Sequence, residues 1–297
     1  MGKILYLECN SGISGDMTVG ALLDLGADRQ VLENALESLG VDGYHLHFGR
    51  KVVSGLDAFD FDVHLEEHEH GHEEGHGHEE GHWHEDGHGH EHEHGHEAGH
   101  RHEAGHGHEV GHGHEHEHSH EAGHGHPHPH IHRNLHDIYH IIDRLDSNER
   151  VKEMARTMFR IVAEAESKAH GLPVEQVHFH EVGAIDSIVD IISAAVCIDN
   201  LGVEDVVISA LSEGHGHVHC QHGVLPVPVP ATANIASSYG LKLHFTDNDG
   251  EMVTPTGAAI AAALRTKDRL PSSCRLLKVG MGAGNKVFKQ ANVLRAM

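Results

Sequence analysis

The stretch V-H-F-H-E-V-G-A-I-D-S-I-V-D, residues 177–190, changes its structural period in the middle. Its first half predicts a short strand, in which the imidazoles of His178 and His180 share one face and Phe179 points to the other. Gly183 ends this strand, because glycine favours turns over extended structure. The stretch therefore presents two imidazoles on one face just before the chain changes structure.

The second half of the stretch predicts a helix. Helical spacing of apolar residues runs from residue 184 or 186 to residue 201 and places Asp186 and Asp190 on one face, four residues apart. Imidazoles with nearby carboxylates suit borderline divalent metals such as nickel and zinc. Two interpretations stay open at this point: a metal site, or a strand with one buried histidine followed by an Asp-capped helix.

Residues 66–132 form a low-complexity tract of His, Glu and Gly, here called the histidine tract. It holds 26 of the 39 histidines and 17 acidic residues against one basic residue, Arg101. Because it has little apolar surface to bury, it cannot offset the entropy lost on ordering, and we predict a disordered insertion. Its many neutral imidazoles favour weak, multivalent binding of nickel, zinc or copper over the alternative of a plain acidic linker.

Most of the net charge of -25 lies in the histidine tract, whose 17 acidic residues and one arginine give it a net charge of -16. The rest of the chain is moderately acidic and has no basic stripe to neutralise phosphates, which argues against a nucleic-acid partner. No stretch approaches the ~20 apolar residues of a membrane span, and Glu8 interrupts the first apolar run, so we predict neither a membrane partner nor a signal peptide. Four scattered cysteines without a C-x-x-C pair fit a reducing compartment, which predicts a cytoplasmic protein.

Strand and helix signals recur along the rest of the chain and predict an α/β or α+β fold of layered strands and helices. The predicted strands cover residues 3–8, two strands within 44–64 joined near Ser54, residues 206–209 and a glycine-rich strand end at 278–286. The predicted helices cover 16–25, 28–39, 134–145, 147–169 and a helix to residue 264 with Thr256 as its N-cap. Three prolines make residues 224–232 a stiff extended segment. We expect residues 1–65 and 133–297 to form one discontinuous globular domain around the disordered insertion 66–132.

Two short segments have the composition of anion-binding helix starts. The first, S-G-I-S-G-D at residues 11–16, joins the first strand to a helix; a tight connection capped by Asp16 is the alternative. It is not a Walker loop, because G-x-x-x-x-G-K-[ST] does not occur in the sequence. The second segment is T-P-T-G at residues 254–257. The candidate phosphate-binding residues are Ser11, Gly12, Ser14, Gly15, Asp16, Thr254, Thr256 and Gly257.

Further histidines lie in two patterned segments outside the histidine tract. Glu166 and His170 are four residues apart on a predicted helix, a spacing shared by metal-binding pairs and by plain hydrogen-bonded pairs. In E-G-H-G-H-V-H-C-Q-H-G, residues 213–223, an extended chain would place the first three histidines on one face and Cys220 with the last histidine on the other. The candidate secondary metal ligands are His215, His217, His219 and His222.

Several motifs together resemble the LarC family of nickel insertion proteins, and they span almost the whole chain. They are S-G-I-S-G-D-M (11–17), the histidine tract, A-E-x-x-x-H-G (165–171), H-F-H-E-V-G-A-x-D-S-I-x-D-I (from 178), G-x-G-x-V-x-C-x-H-G-x-L-P-V-P-x-P-A-T (from 214), E-x-x-T-P-T-G-A-A (from 251), V-G-x-G-A-G (from 279) and N-V-L-R (from 292). Several of these motifs are long enough to be specific to one family.

The resemblance implies a nickel chelatase of the lyase class. Such an enzyme inserts Ni(II) into pyridinium-3,5-bisthiocarboxylic acid mononucleotide to form the nickel-pincer cofactor, with CTP and a divalent ion such as Mg or Mn. The implied receiver of the cofactor is an enzyme such as lactate racemase. Complete family members carry a further C-terminal domain that supplies CTP binding, and this chain stops soon after Arg295, so the resemblance also implies a C-terminal partner part.

The chemistry of insertion suggests how these residues would act. Nickel would pass from harder imidazole and carboxylate ligands to the softer sulfurs of the substrate. The proposed temporary ligands are His178, His180 and Glu181, helped by Glu166, His170, Asp186 or Asp190. Glu181 or Asp186 would take the ring proton. One alternative is a non-enzymatic nickel store or metallochaperone. Another is a zinc hydrolase, but the H-x-H-E of this chain is a poor match to the H-E-x-x-H motif of such enzymes.

Overall fold

The computed structural model describes residues 2–66, 133–177, 179, 185–220 and 222–297. Its α-helices are α1 (Gly15–Leu25), α2 (Arg29–Glu37), α3 (Leu135–Arg144), α4 (Glu149–His170), α5 (Ile185–Leu201), α6 (Pro230–Tyr239) and α7 (Pro255–Leu264). Its strands are β1 (Ile4–Glu8), β2 (Tyr44–Val53), β3 (Leu56–Leu65), β4 (Asp205–Ile208), β5 (Leu211–His215), β6 (His217–Cys220), β7 (Gly223–Pro226), β8 (Leu243–Asp249), β9 (Gly280–Ala283) and β10 (Val293–Ala296). The mixed α/β class is therefore confirmed. The predicted division into domains stays a prediction, because residues 67–132 lie outside the described residues.

A six-stranded mixed sheet in the order β2-β3-β9-β10-β1-β4 forms the centre of the fold. Strands β1 and β4 run parallel, whereas β10 pairs antiparallel with both β1 and β9. The long hairpin β2–β3 forms one end of the sheet, with a full antiparallel register from Tyr44↔Leu65 to Val53↔Leu56. Two separate two-stranded sheets, β5–β8 and β6–β7, complete the strand pairing of the described residues.

Helix α1 lies directly on the sheet because glycines remove the side chains between them. A Cβ on Gly282 of β9 would lie 1.9 Å from the carbonyl oxygen of Met17, and one on Gly20 would lie 3.0 Å from that of Phe59. Helices α4 and α5 pack on each other and supply much of the buried apolar core, including Phe159 of α4. This packing fixes the start of α1 beside the start of α5.

Most predicted elements occur, with small shifts at their ends. The predicted N-cap at Thr256 is wrong: Thr254 caps α7, and its hydroxyl accepts a hydrogen bond from the backbone N–H of Gly257 at 3.1 Å. Pro255 follows at the first helical position, where its missing N–H costs nothing. Ser14, not Asp16, is the N-cap residue of α1.

The proline-rich segment 224–232 is only partly extended. Its first part pairs as β7, but helix α6 begins at Pro230, and the expectation of a stiff extended segment to residue 232 is wrong there. The physical reason is that proline at the first helical turn is preorganised for a helix, although it excludes a central strand. In the described parts of the chain, no helix combines the length and hydropathy needed to cross a bilayer.

Candidate functional site

A cleft of about 310 Å³ brings together residues from separate parts of the sequence. The start of α1, the first turns of α5 and the start of α7 form its walls, and residues from β3 and from the segment after β9 complete it. Its lining residues are Ser14, Gly15, Asp16, Asp62, Val63, Asp186, Ser187, Asp190, Glu251, Thr254, Pro255, Thr256 and Asn285. Seven residues predicted separately as phosphate-binding, metal-binding or catalytic therefore share one cavity: Ser14, Gly15, Asp16, Asp186, Asp190, Thr254 and Thr256.

The loop before α1 is held by its own polar side chains. The Ser14 hydroxyl donates a short hydrogen bond to Asp16 Oδ1, and the Thr18 hydroxyl donates to the Ser14 carbonyl oxygen at 2.7 Å. Asp16 lies in the first turn of α1, where a negative charge interacts favourably with the helix dipole. The loop is therefore a tight strand-to-helix connection, and it also turns a helix N-terminus toward the cleft.

The carboxylates of α5 reach this helix start across a glycine. Asp186 and Asp190 line the cleft one helical turn apart, and the backbone N–H of Asp16 donates to the side chain of Asp190. A Cβ on Gly15 would lie 2.2 Å from Asp190 Oδ2, so only glycine permits this contact. Asp190 is partly exposed as a residue, but its Oδ1 is shielded from solvent and accepts no hydrogen bond from the described residues.

Burial and charge together shift the acidity of the cleft. Burial raises the pKa of Asp190 well above its usual range, and the charges of Asp16, Asp186 and Asp62 raise it further. Burial also raises the pKa of Asp16, although hydrogen bonds from the Ser14 hydroxyl and the Met17 backbone lower it. Each carboxylate disfavours ionisation of its neighbours, so the group favours a bound proton or a cation.

The start of α7 reaches the cleft through close backbone contacts with the loop before α1. Ile13 donates from its N–H to the Met252 carbonyl oxygen at 3.0 Å, and its own carbonyl accepts from the N–H of Thr254 at 3.1 Å. A Cβ on Gly257 would lie 2.2 Å from the carbonyl oxygen of Ile13. Gly257 therefore lets two helix starts approach each other, and it acts behind the cleft rather than in its lining.

A buried glutamate fixes the segment that leads into α7. Glu213 is fully buried, and its Oε1 accepts hydrogen bonds from the backbone N–H groups of Gly214, Met252 and Val253 at 2.9, 2.8 and 3.2 Å. Burial raises the pKa of Glu213, and these three hydrogen bonds lower it. Sequence reasoning missed this role, since a glutamate beside several histidines resembles a ligand more than a backbone anchor.

Lysines contact the polar residues of the cleft, and sequence reasoning missed them too. Lys51 donates to Asn285 Oδ1 at 2.5 Å, and Lys286 lies 3.2 Å from Glu251 Oε2. Asp62 was also missed, because a polar residue alternating with apolar ones on a strand reads as a solvent-facing position. Glu251 belongs to the motif before T-P-T-G, which was the available signal for it.

The two remaining phosphate candidates have structural contacts away from the cleft lining. Ser11 is buried and its hydroxyl donates to the Ala291 carbonyl oxygen at 2.7 Å. Gly12 has a φ of 86°, and a Cβ there would lie 1.9 Å from the carbonyl oxygen of Met252. Both residues shape the loop that carries Ser14.

Three residues of the predicted metal site are outside the part of the chain that the structure describes. They are His178, His180 and Glu181. Phe179 between them is buried, and its N–H donates to the Arg133 carbonyl oxygen at 3.0 Å. This backbone contact ties the segment before α5 to the start of the chain's second described part.

Glu166 and His170 meet a third predicted ligand at the end of α4. Glu166 Oε2 lies 3.4 Å from His170 Nε2, and the rings of His170 and His222 have centroids 4.9 Å apart. None of the three lines the cleft. The structure therefore groups these residues on an exposed surface, apart from Asp186 and Asp190.

The other three candidate secondary ligands do not share one extended strand. Gly216, with a φ of 84°, separates His215 at the end of β5 from His217 and His219 on β6. His215 Nδ1 lies 3.9 Å from Asp249 Oδ1 on β8, while β6 pairs with β7. Across the parts of the chain with described coordinates, no three His, Cys, Asp or Glu side chains are arranged to hold one metal ion.

A second cavity, of about 200 Å³, lies beside β4 and has basic residues in its lining, among them Lys242, Arg265 and Arg269. Arg265 donates to the carbonyl oxygens of Gly240 and Tyr239 at 3.0 and 2.6 Å, so it stabilises the end of α6. This cavity contains none of the residues singled out from the sequence. The carboxylate cleft is therefore the better candidate for chemistry.

Residues 5–297 match the family model described as nickel insertion protein. A protein of Alkaliphilus metalliredigens, named pyridinium-3,5-bisthiocarboxylic acid mononucleotide nickel insertion protein, is 50% identical over 296 residues, which cover 100% of this chain and 60% of the relative. Proteins of the same name from Geobacillus kaustophilus and Staphylococcus epidermidis are 37% and 33% identical over 297 residues, covering 99% and 100% of this chain and 59% of each relative.

No solved structure gives a significant match to the chain. The chain spans about three fifths of the length of the curated relatives it matches. Since the family model covers nearly every residue, this chain belongs to the nickel insertion protein family.

Proposed function

We propose that this chain carries the nickel-inserting part of a nickel chelatase, a lyase that places Ni(II) in pyridinium-3,5-bisthiocarboxylic acid mononucleotide to form the nickel-pincer cofactor. Its relatives bear names that state this substrate, and they match the chain over its full length. One observation carries the proposal: two helix N-termini and a group of carboxylates open into the same cleft.

The two helix starts suit the anionic parts of the mononucleotide. Backbone N–H groups in the first turns of α1 and α7 lack helical carbonyl partners and carry partial positive charge. Two of those in α1 already donate to carboxylates, that of Asp16 to Asp190 and that of Met17 to Asp16, and would have to exchange partners to bind a phosphate. Ser14 and Thr256 add hydroxyl groups to the lining of the same cleft. Lys51 and Lys286, which contact lining residues, would balance further negative charge. We propose that the phosphate binds here.

The carboxylates of the same cleft suit the metal. Asp186 and Asp190, with Asp16 and Asp62 nearby, would exchange a bound proton for Ni(II), which relieves the repulsion among them. These oxygens are weak ligands for a borderline metal, so nickel would leave readily for thiocarboxylate sulfur. The full ligand set would include His178, His180 and Glu181, which lie a few residues before α5 in the sequence.

The insertion step requires removal of one proton from the pyridinium ring. The ring C–H bond breaks, its proton goes to the carboxylate of Glu181 or Asp186, and the electron pair left on carbon binds nickel. Nickel held by both sulfurs would acidify this C–H bond and compensate for the weakness of a carboxylate as a base. Glu166, His170 and His222 would form an accessory nickel site on the surface.

The remaining parts of the proposal concern the whole protein. CTP with Mg or Mn would bind a C-terminal part, and the product would pass to a cofactor-accepting enzyme such as lactate racemase in the cytoplasm. The chain covers 60% of its relative from Alkaliphilus metalliredigens, which leaves room in the relative for such a part. Insertion is therefore best measured with the chain alone and with a relative's C-terminal part added.

The test combines the purified chain with Ni(II), CTP, Mg(II) and the mononucleotide, and follows cofactor formation by absorbance and mass spectrometry. Asp186→Asn and His180→Ala should each lower the rate on the order of 100-fold, because each removes a group that must be placed for the reaction. Bulk nickel binding by the histidine tract should persist in both variants.

The controls separate insertion from storage. Asp57→Asn changes an exposed aspartate on the hairpin that pairs with Arg50, and it should insert nickel at the parental rate. If the chain with the C-terminal part binds nickel but never converts the mononucleotide, the nickel store is the better account. If His180→Ala and Asp186→Asn form product as fast as the parent, the site assignment is wrong.

A further inference from the structure

The hairpin β2–β3 carries a second set of metal-binding side chains outside the proposed site. His45 and His64 are directly opposite each other, and so are His47 and Asp62. Because side chains two apart on a strand share a face, these residues lie on one face together with Asp60. The opposite face carries apolar residues such as Leu46 and Phe61, which pack in the core. The five polar residues His45, His47, Asp60, Asp62 and His64 are here called the hairpin site.

The hairpin site places imidazole nitrogens near carboxylate oxygens. His47 Nε2 lies 3.6 Å from Asp60 Oδ2, and His64 Nε2 lies 3.7 Å from Asp62 Oδ2. The rings of His45 and His64 stack with centroids 5.0 Å apart, and those of His47 and His64 are 5.8 Å apart. Two ligands on one metal, each with a bond of ~2.1 Å, lie roughly 3.0–3.5 Å apart, so small rotamer changes would bring either pair onto one ion.

The hairpin site adjoins two regions that the proposed function needs, the histidine tract in sequence and the cleft in space. At one end, His64 is near the end of β3, and the histidine tract begins two residues later in the sequence. At the other end, Asp62 lines the cleft and raises the pKa of both Asp16 and Asp190 through its charge. One carboxylate is therefore shared by the exposed histidines and the buried carboxylates.

We propose that the hairpin site is a transfer site that passes Ni(II) from the histidine tract to the cleft. This inference rests on the proposed function for its destination, but not for its metal binding. Each His–Asp pair supplies only two protein donors, and water would complete the coordination, so binding is weak and exchange is fast. The Lys51 ammonium, 2.7 Å from Asp60 Oδ1, competes with metal for that carboxylate and weakens binding further.

Histidine modification with diethyl pyrocarbonate, read by peptide mass spectrometry, tests metal binding in the full chain. Nickel should suppress modification of His45, His47 and His64 in a saturable way. Mg(II), which prefers oxygen ligands, should not. His244, an exposed histidine on β8, serves as the unprotected control. Asp60→Asn should weaken protection at His47 more than at His64, because only His47 pairs with that carboxylate.

Transfer is tested by cofactor formation at limiting nickel. The variant His45→Gln/His47→Gln/His64→Gln should be several-fold slower than the parent, and the difference should narrow as nickel is raised. The matched control is His136→Gln/His140→Gln, which removes an exposed pair on α3 whose Nε2 atoms are 2.9 Å apart. This pair follows the histidine tract in sequence but does not line the cleft.

The outcomes separate this inference from the proposed function. Equal modification of the three histidines with and without nickel would overturn metal binding at the hairpin site. Protection without any cofactor formation would support metal binding at the hairpin site and contradict the proposed function. A triple variant no slower than the α3 control at limiting nickel would overturn transfer.

Discussion

The carboxylate cleft and the exposed histidine surfaces offer a cation different chemical environments. In the cleft, Asp190 Oδ1 is shielded from water, and the surrounding charges raise the pKa of its carboxyl. On the surfaces, the side chains of His64 and His170 are 48% and 35% exposed, and their carboxylate partners lie 3.7 and 3.4 Å away. In the cleft, a bound cation would offset the cost of burying a carboxylate charge, whereas on the surface water can replace a bound metal ion.

The difference follows from desolvation. A buried carboxylate without enough hydrogen-bond donors keeps its proton or binds a cation, because isolated charge is costly away from water. An exposed imidazole has water as an alternative partner in either state. The comparison therefore predicts tighter cation binding in the cleft than on the histidine surfaces.

Gly15→Ala is expected to disturb the cleft most. The new Cβ would lie 2.2 Å from Asp190 Oδ2, so α1 and α5 must move apart or Asp190 must turn away. Such overpacking costs about 1–3 kcal/mol of unfolding free energy. Displacement of the Asp190 carboxylate by ~1 Å should lower cofactor formation on the order of 100-fold. Urea unfolding and the insertion assay measure the two effects.

Gly2→Ala is the matched control, because its Cβ would lie 2.0 Å from Glu204 Oε2. Both of those residues are exposed, so the Glu204 side chain can move aside at little cost. Unchanged activity and stability in Gly15→Ala would show that the contact between α1 and α5 does not set the geometry of the cleft.

Asp190→Asn should change the pH dependence of stability in metal-free protein. The raised pKa means that the folded state keeps a proton that the unfolded state has already lost above pH ~4. Stability of the parent therefore falls as pH rises through this range, by up to about 1.4 kcal/mol per pH unit, and the neutral amide removes this fall. The variant should match the parent near pH 4 and exceed it near neutral pH.

Urea unfolding from pH 4 to 8 with a chelator measures this difference, and the titration of the histidine tract cancels between the two proteins. If Asp190 binds nickel as proposed, nickel should then stabilise the parent more than the variant, since the amide cannot supply a carboxylate. A constant stability difference at every pH would mean that Asp190 ionises normally in the folded protein.

The sequence predicts the parts of the cleft better than their assembly. The helical period of α5 places Asp186 and Asp190 on one face, and the structure has them one turn apart in the same cavity. Asp62 could not be assigned in this way, because its neighbours depend on β3 lying beside β9 in the sheet order. Local spacing specifies a helix face, but nonlocal strand pairing decides which faces meet.

Helix α6 shows a different reason for failure. Its sequence begins with Pro230 after two earlier prolines, and this pattern excludes a central strand without excluding a helix start. The placement of His215 failed for a similar reason, since a single glycine at position 216 moves the chain from one sheet to another. In both cases one residue's backbone preference outweighs the pattern around it.

His170→Ala should have the smallest effect on folding. The contact of His170 with Glu166 is partly exposed and joins neighbouring turns of α4, so its loss should cost less than about 0.5 kcal/mol. Lys168→Ala is the matched control, because it also removes a polar, exposed side chain in the last turn of α4. Urea unfolding at pH 7 compares them. A loss above about 2 kcal/mol for His170→Ala alone would show that the surface group formed with His222 supports the fold as a buried contact does, and the contrast with the cleft would no longer hold.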